Sequence, residues 1–280
     1  MKIITLIENT PGYPGCLYEH GLSFYIETDR HRLLLDTGAT GAFLQNAETL
    51  GIGLHSVDTL VLSHGHYDHG GGILTFARTV PTAKVYLRRN ALEPYYHLKP
   101  EGEKYIGLDP AVAELPQCIF VDGDLVIDEE LSLFTHIRGR RLLPKGNRKL
   151  KQKAGGTFVQ DEFDHEQCLV VRQGDFQVLL SGCAHNGILN ILDRYQELYG
   201  RYPDLLVSGF HMKQDAYTEE DLENIRITAR ILKETGIRCW TGHCTGERAF
   251  SIMKEIMGEQ LKALHSGEEI LRKMGGIGCQ

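Results

Sequence analysis

Ser63-His64-Gly65-His66-Tyr67-Asp68-His69-Gly70-Gly71-Gly72 follows directly on the apolar run Leu60-Val61-Leu62. The stretch gathers three imidazoles and a carboxylate within six positions. These donors form the set that zinc accepts, with iron, manganese or cobalt as less favoured occupants. In a loop leaving a strand, His64 and His66 turn the same way and grip one ion, while Asp68 and His69 reach a second ion beside it. The glycines let the backbone turn tightly and start a helix over Ile73 to Ala77 without crowding the ligands. A merely solvated turn has no need of so many donors straight after a buried strand.

Composition narrows the setting. The chain has 280 residues and a formal net charge of −7, with the apolar and charged fractions of an ordinary globular protein. That charge argues against general nucleic-acid binding. The start of the chain lacks the apolar region of an export signal, and no stretch approaches membrane-spanning length, so no membrane partner is expected. Seven cysteines, an odd number without a close CxxC pair, suit a reducing cytoplasm better than a disulfide framework.

Two hairpins are legible: Ser23 to Glu27 with Arg32 to Asp36, and Leu169 to Arg172 with Gln177 to Leu180. Helical patterns run over Ala42 to Leu50, Ile188 to Leu198, Thr218 to Glu234 and Glu247 to Met257. Thr218 precedes Glu219, Glu220 and Asp221, which suits a helix N-terminus. The strands Leu205-Leu206-Val207 and Arg238-Cys239-Trp240 lie between helices. Hairpins first and strand–helix alternation later predict two sheets with helices on their outer faces. Residues 90 to 117, with Tyr95, Tyr96, His97, Tyr105 and several prolines, read as a helical or irregular insertion. Residues 138 to 153 carry Arg138, Arg140, Arg141, Lys145, Arg148, Lys149, Lys151 and Lys153 and no acid. This basic segment is either a solvated loop or a flap that closes on an anionic substrate, with Gly155-Gly156 as its hinge.

His64-x-His66-x-Asp68-His69 resembles the signature of the metallo-β-lactamase superfamily, a large group of mostly hydrolytic metalloenzymes. Leu33-Leu34-Leu35-Asp36-Thr37-Gly38 is similar to the early strand ending in Asp-x-Gly that precedes that signature. Glu8-Asn9-Thr10, Gly21-Leu22-Ser23-Phe24, Ser181-Gly182-Cys183-Ala184-His185-Asn186-Gly187, Gly209-Phe210-His211 and Gly242-His243-Cys244-Thr245-Gly246 resemble one branch of it. That branch takes its name from a dihydropterin-(ribofuranosyl)aminobenzene-phosphate synthase. The resemblance implies an α/β fold of αββα type, two mixed β-sheets with helices on the outer faces. It also implies a single domain over residues 1–280, interrupted by the insertion at about 90–117 and the basic loop at about 138–160. It further implies two divalent ions, zinc foremost with manganese or iron as alternatives. His64, His66 and His185 would hold one ion, and Asp68, His69 and His243 the other.

The chain departs from the family pattern at Gly182-Cys183, where Gly-Asp usually supplies a bridging carboxylate. Either a Cys183 thiolate bridges the ions, or Cys183 is a small buried residue and His185 takes over as ligand; the commonness of buried free cysteine favours the latter. The usual Pro-Gly-His is absent too, and Thr135-His136-Ile137-Arg138 stands near its place, which makes His136 a weaker candidate. Asp36 is expected to accept the free N–H of a metal-bound imidazole. Asp68 and His211 are the expected catalytic residues, His211 facing the substrate and donating to a leaving group. Cys244 lies at the rim or in the core.

Two clustered ions lower the pKa of a water from about 15.7 toward neutrality and so supply hydroxide to attack phosphorus or a carbonyl. With Arg140, Arg141 and Lys145 as candidate substrate-binding groups, the expected activity is hydrolysis of a small anionic metabolite, a phosphoester before a β-lactam. The alternative is a transferase joining a pterin diphosphate to an arylamine ribofuranosyl phosphate, in which Tyr95, Tyr96 and Phe210 stack on the pterin. An iron-dependent oxygen or redox role fits less well. Redox relatives carry Glu where His66 stands and use a fused flavin domain, and these 280 residues show neither.

Overall fold

The computed structural model describes residues 1–271. Two seven-stranded sheets face one another. The first runs, in spatial order, Glu269–Leu271, Lys2–Ile7, Ser23–Glu27, Arg32–Leu35, Thr59–Val61, Lys84–Arg88 and Cys118–Val121. The second runs Leu261–Ala263, Arg238–Thr241, Leu205–Val207, Phe176–Leu180, Cys168–Gln173, Leu131–Phe134 and Leu125–Val126. Each mixes antiparallel hairpins with parallel strands, as the sequence pattern predicts. Both hairpins form where expected, pairing Tyr25 with Leu34 and Val170 with Leu179.

Three apolar layers hold the sandwich together. Between the sheets, Phe24, Leu33, Leu35, Leu133, Val171 and Val207 are wholly buried or nearly so. On the outer face of the first sheet lie helices α1 (Ala42–Thr49) and α3 (Ile73–Thr79), and the four-residue α2 (Tyr67–Gly70) sits at the sheet's edge. On the outer face of the second lie α4 (Ile188–Tyr199), α5 (Glu219–Thr235) and α6 (Glu247–Met257). The start of α5 follows from the expected cap. The Thr218 side chain accepts from the Asp221 N–H while Asp221 accepts from the Thr218 N–H, a reciprocal pair that satisfies two donors at the helix start.

The two segments that resisted reading come together as a third sheet. Tyr95–Lys99 and Gly102–Tyr105 form one hairpin, Leu150–Ala154 and Thr157–Gln160 another, and Tyr95–Lys99 pairs with Leu150–Ala154. Residues 90–117 are therefore neither helical nor irregular throughout, and the basic segment ends in strands. Gly155 and Gly156, both at positive φ, form the two-residue turn between Ala154 and Thr157. Glycine is required there for the turn, which fixes the hairpin rather than hinging it. A small core of Tyr95, Ile106, Leu150 and Phe163, joined by Tyr67, seats this sheet over the metal-ligand motif.

The two main sheets are also tied by charge at their rim. His31, in the turn of the first hairpin, lies 2.9 Å from Asp58 and 2.6 Å from Asp128, which precedes Leu131–Phe134 of the second sheet. Partial burial works against charging the ring, but the hydrogen bonds it donates to Asp128 and Asp58 prevail and raise its pKa. A raised folded value stabilises fully below the unfolded pKa, near 6.5, and loses that stabilisation as pH rises through the folded one. His31→Gln is expected to lower the unfolding midpoint more at about pH 6 than at about pH 9, with thermal melts at both as the check.

Candidate metal centre

Parallel strands leave their side chains at a common edge, and that edge is where the donors gather. Leu35 pairs with Val61 in the first sheet, and Leu180 with Val207 and Val207 with Trp240 in the second. The loops after these strands carry Asp36, the run His64 to His69, Cys183 with His185, His211 and His243. Gly182 must lack a side chain, since a Cβ there would lie 2.2 Å from Ser63 Oγ.

His64 Nε2 lies 3.1 Å from His66 Nδ1, and the His185 ring packs edge-on at 4.9 Å from each of these rings. His69 Nε2 lies 3.2 Å from His243 Nε2, and Asp68 Oδ2 lies 3.3 Å from the latter. Cys183 Sγ, 3.1 Å from His69 Nε2, belongs to both groups: donor atoms of His64, Cys183 and His185 lie within 4.8 Å of one another, as do those of His69, Cys183 and His243. The expected donors thus come together, and Cys183 occupies the position between the two sets, which favours its bridging reading over that of a plain core cysteine.

The outer hydrogen bonds fix where each imidazole keeps its proton. Ser63 Oγ donates to Asp36 (2.7 Å), so it accepts from His64 Nδ1 (2.9 Å). His69 Nδ1 donates to Asp36 (2.6 Å), and His243 Nδ1 donates to the Asn9 side-chain Oδ1 (2.8 Å). The Asn147 amide donates to the His185 carbonyl, leaving Asn147 Oδ1 to accept from His185 Nδ1 (3.0 Å). The inner nitrogens of His64, His185 and His243 therefore present lone pairs toward the centre, and His69 joins them once it gives up the second proton that Asp36 favours. His185 Nε2 is buried without a hydrogen-bond partner. Facing lone pairs and a buried orphaned nitrogen are unfavourable alone and are relieved by a cation, so the donor set fits metal ions.

Electrostatics agrees with neutral donors on one side. Burial and neighbouring imidazoles push His64 and His185 well down, and burial brings His66 to about 3. On the other side burial opposes charge on His69, but Asp36 outweighs it and raises the group to about 9. Burial likewise opposes the Asp68 carboxylate, yet His243 and His69 hold it below the usual range. Backbone strain concentrates here as well: Asp36, Ala184, His211 and His243 adopt positive φ despite carrying side chains.

Several supports escaped sequence reading. Glu8 accepts from the His243 N–H at 2.5 Å, and buried Glu166 accepts from the His185 and Asn186 N–H groups. His20 lies 3.3 Å from Asp68 and stacks on His243. The motif stretch Glu8-Asn9-Thr10 was a signal for the first. A lone glutamate and a lone histidine gave none.

A cleft of about 630 Å³ opens over the donors, walled by Lys99, Lys104, Lys145, Lys149, Lys213 and His97. Lys145 thus reaches it, while pairing with Glu220 and Asp221 at 2.8 Å. Arg140 and Arg141 do not. Arg140 donates to the carbonyls of Ile137 and Gly139, and Arg141 pairs with Asp193 on α4 at 3.1 Å. Of the lining lysines, Lys99 and Lys104 come from the third sheet, Lys145 and Lys149 from the basic segment before its second hairpin, and Lys213 from the loop after His211. Tyr95 and Phe210 are buried and Tyr96 packs on Tyr105 and Phe158, so none of the three lines the cleft for stacking. His136 is exposed, bonded to Thr135 and away from the donors. His211 lines the cleft, its ring 4.2 Å from that of His185 and its Nδ1 buried without a partner; buried Cys244 lines the floor and accepts from the His211 N–H.

Asp36 takes both Ser63 and His69, so Asp36→Asn is expected to lower metal affinity about 10- to 100-fold while leaving the fold intact. Chelator competition with circular dichroism as the control checks this.

The family description "Metallo-beta-lactamase superfamily" matches residues 19–225. The chain is 27% identical to 7,8-dihydropterin-6-methyl-4-(β-D-ribofuranosyl)-aminobenzene-5'-phosphate synthase of Methanocaldococcus jannaschii, over 96% of each chain. The crystal structure of a metal-dependent hydrolase of the β-lactamase superfamily superposes with a TM-score of 0.82 at 30% identity, over 98% of this chain and 100% of that one. Zinc-bound PqqB of Methylobacterium extorquens shares the fold at a TM-score of 0.55 and 13% identity, over 97% and 100% of the two chains. With the family match spanning well over half its length and the donor loops set at one edge of the sandwich, the chain belongs to the metallo-β-lactamase superfamily.

Proposed function

We propose that this protein is a dinuclear metal-dependent hydrolase acting on a small phosphorylated metabolite. The observation that carries the reading is the joining of two donor groups through Cys183 beneath a lysine-walled cleft. When bound, two divalent ions, zinc foremost, supply electrophile polarisation and lower the pKa of water toward neutrality. The chain's own groups do the rest. Lys99, Lys149 and Lys213 draw in and orient the anion, since charge-assisted contacts to phosphate are strong and long-ranged at a concave surface. Asp68, held ionised by His243 and His69, keeps a hydrogen-bond acceptor at the cleft floor. His211, at the cleft edge, donates toward the departing oxygen. No helix among the described residues is long and apolar enough to cross a membrane, and the six cysteines among those residues, all free, suit a reducing cytoplasm.

A transferase reading is favoured by a separate observation, the end-to-end likeness to the M. jannaschii synthase. In that case the same lysines hold a diphosphate leaving group, and an arylamine takes the place of water.

Elemental analysis of the purified protein is expected to give about two equivalents of zinc or manganese, lost with phosphoesterase activity on chelation and regained together. His64→Ala and His69→Ala variants that keep full metal and activity would overturn the reading. Replacing Lys99 and Lys213 by Ala is expected to raise the Michaelis constant for a phosphorylated substrate about tenfold, the scale of one charge-assisted hydrogen bond, with kcat little changed. Diphosphate release that requires an added arylamine would select the transferase.

A further inference from the structure

His66 differs from the other imidazoles of the centre. Its Nδ1 faces His64, but its outer Nε2 is buried and has no hydrogen-bond partner. The nearest acceptor is Asp161 Oδ2 at 4.0 Å. Asp161 follows the strand Thr157–Gln160 and is itself buried, as is His165. The Gly65 N–H donates to His165 Nδ1 at 2.9 Å, which leaves the His165 proton on Nε2, directed at Asp161 Oδ2 at 3.2 Å. Asp161 Oδ1 accepts from the Phe163 N–H at 2.8 Å. The carboxylate is therefore anchored on two sides, and its Oδ2 has one further direction open, toward His66.

We infer that Asp161, held by His165, is the positioning carboxylate of His66, fixing the outer proton so that Nδ1 is offered to the metal. The proposal rests on the metal-centre reading above and extends it to the imidazole of the His64–His69 run whose outer nitrogen no other group engages. Asp36 serves His69 in the same manner from the first sheet. Asp161 serves His66 from the third. His165 does double service, because its other nitrogen holds the peptide between His64 and His66. The Tyr95 ring packs against His165 at 4.2 Å and closes the group off from solvent. A movement of about 1 Å, shared between His66 and Asp161, would bring Nε2 from 4.0 Å into charge-assisted hydrogen-bond range of the carboxylate. Donor atoms of His66, Asp161 and His165 also lie close enough to hold an ion of their own, but the Gly65 bond puts the His165 proton where such an ion would sit.

The test is a zinc titration against a competing chelator, run on the parent, Asp161→Asn and His165→Gln. The parent is expected to bind two equivalents. Asp161→Asn is expected to weaken one of them about 10- to 100-fold and leave the other unchanged. The metal-free melting temperature should stay near that of the metal-free parent, and the cobalt-substituted spectrum should change, neither of which a merely structural residue would produce. A parent that binds no metal sinks the metal-centre reading itself. A parent that binds two equivalents and an Asp161→Asn protein that binds both as tightly sinks only the positioning role. Three equivalents in the parent, with the third lost in Asp161→Asn, make Asp161 a ligand and overturn the proposal. If the variants fail to fold, nitrogen-15 imidazole shifts of the zinc-loaded parent decide it: His66 protonated on Nε2 is expected, and protonation on Nδ1 overturns the proposal.

Discussion

Imidazoles whose outer nitrogens are all engaged as donors have only lone pairs left to turn inward, and that constraint organises the rest of this molecule. His64, His69, His185 and His243 are each fixed by a specific acceptor: Ser63, Asp36, Asn147 and Asn9. Inner nitrogens crowded to 3.1 to 3.2 Å of one another have to be held in place by the surrounding structure. It does so with residues in strained backbone conformations, with carboxylates buried beside imidazoles, and with short loops that leave strands at matched register. Each device is unfavourable alone. Together they make the donor set rigid before any ion arrives.

The sandwich makes this rigidity affordable. Three apolar layers flank and fill the two sheets, so strand ends are fixed by packing that does not involve the donors. Loops from the first sheet bring Asp36 and the His64–His69 run, and loops from the second bring Cys183, His185, His211 and His243. The centre is thus assembled across the seam between the sheets, and neither sheet holds a complete donor set. The His31 clamp ties the sheets at their rim.

What the sequence made legible follows from how the information is carried. The His64–His69 run is dense, local and follows a strand of plain apolar character, so both donors and fold were readable from it. Asp36, His185 and His243 sit at strand ends, where position alone suggests a role. Asn147, Asp161 and Glu166 act across the fold, and nothing in their neighbourhoods marks them. The third sheet was missed for a different reason. Its strands are half-exposed on both faces, with patterns such as LKQKA and GEKY, so the alternation that identifies a strand with one buried side is absent. Their lysines read as a charged loop, and placing Arg140 and Arg141 in the cleft followed from that reading. The position of Cys183 between the two donor groups depends on long-range geometry that a dipeptide does not carry.

The Gly155-Gly156 turn and the hairpin beside it hang beyond the donors, and their tips touch none of the metal-facing groups. The hairpin of Tyr95–Lys99 and Gly102–Tyr105 contributes His97, Lys99 and Lys104 to the cleft wall, so charge changes there alter that wall while the donor loops keep their geometry. Part of the cleft wall thus lies in a stretch of chain separate from the loops that carry the donors. A lineage carrying this arrangement can vary that wall by drift in the third sheet while every donor side chain stays in place.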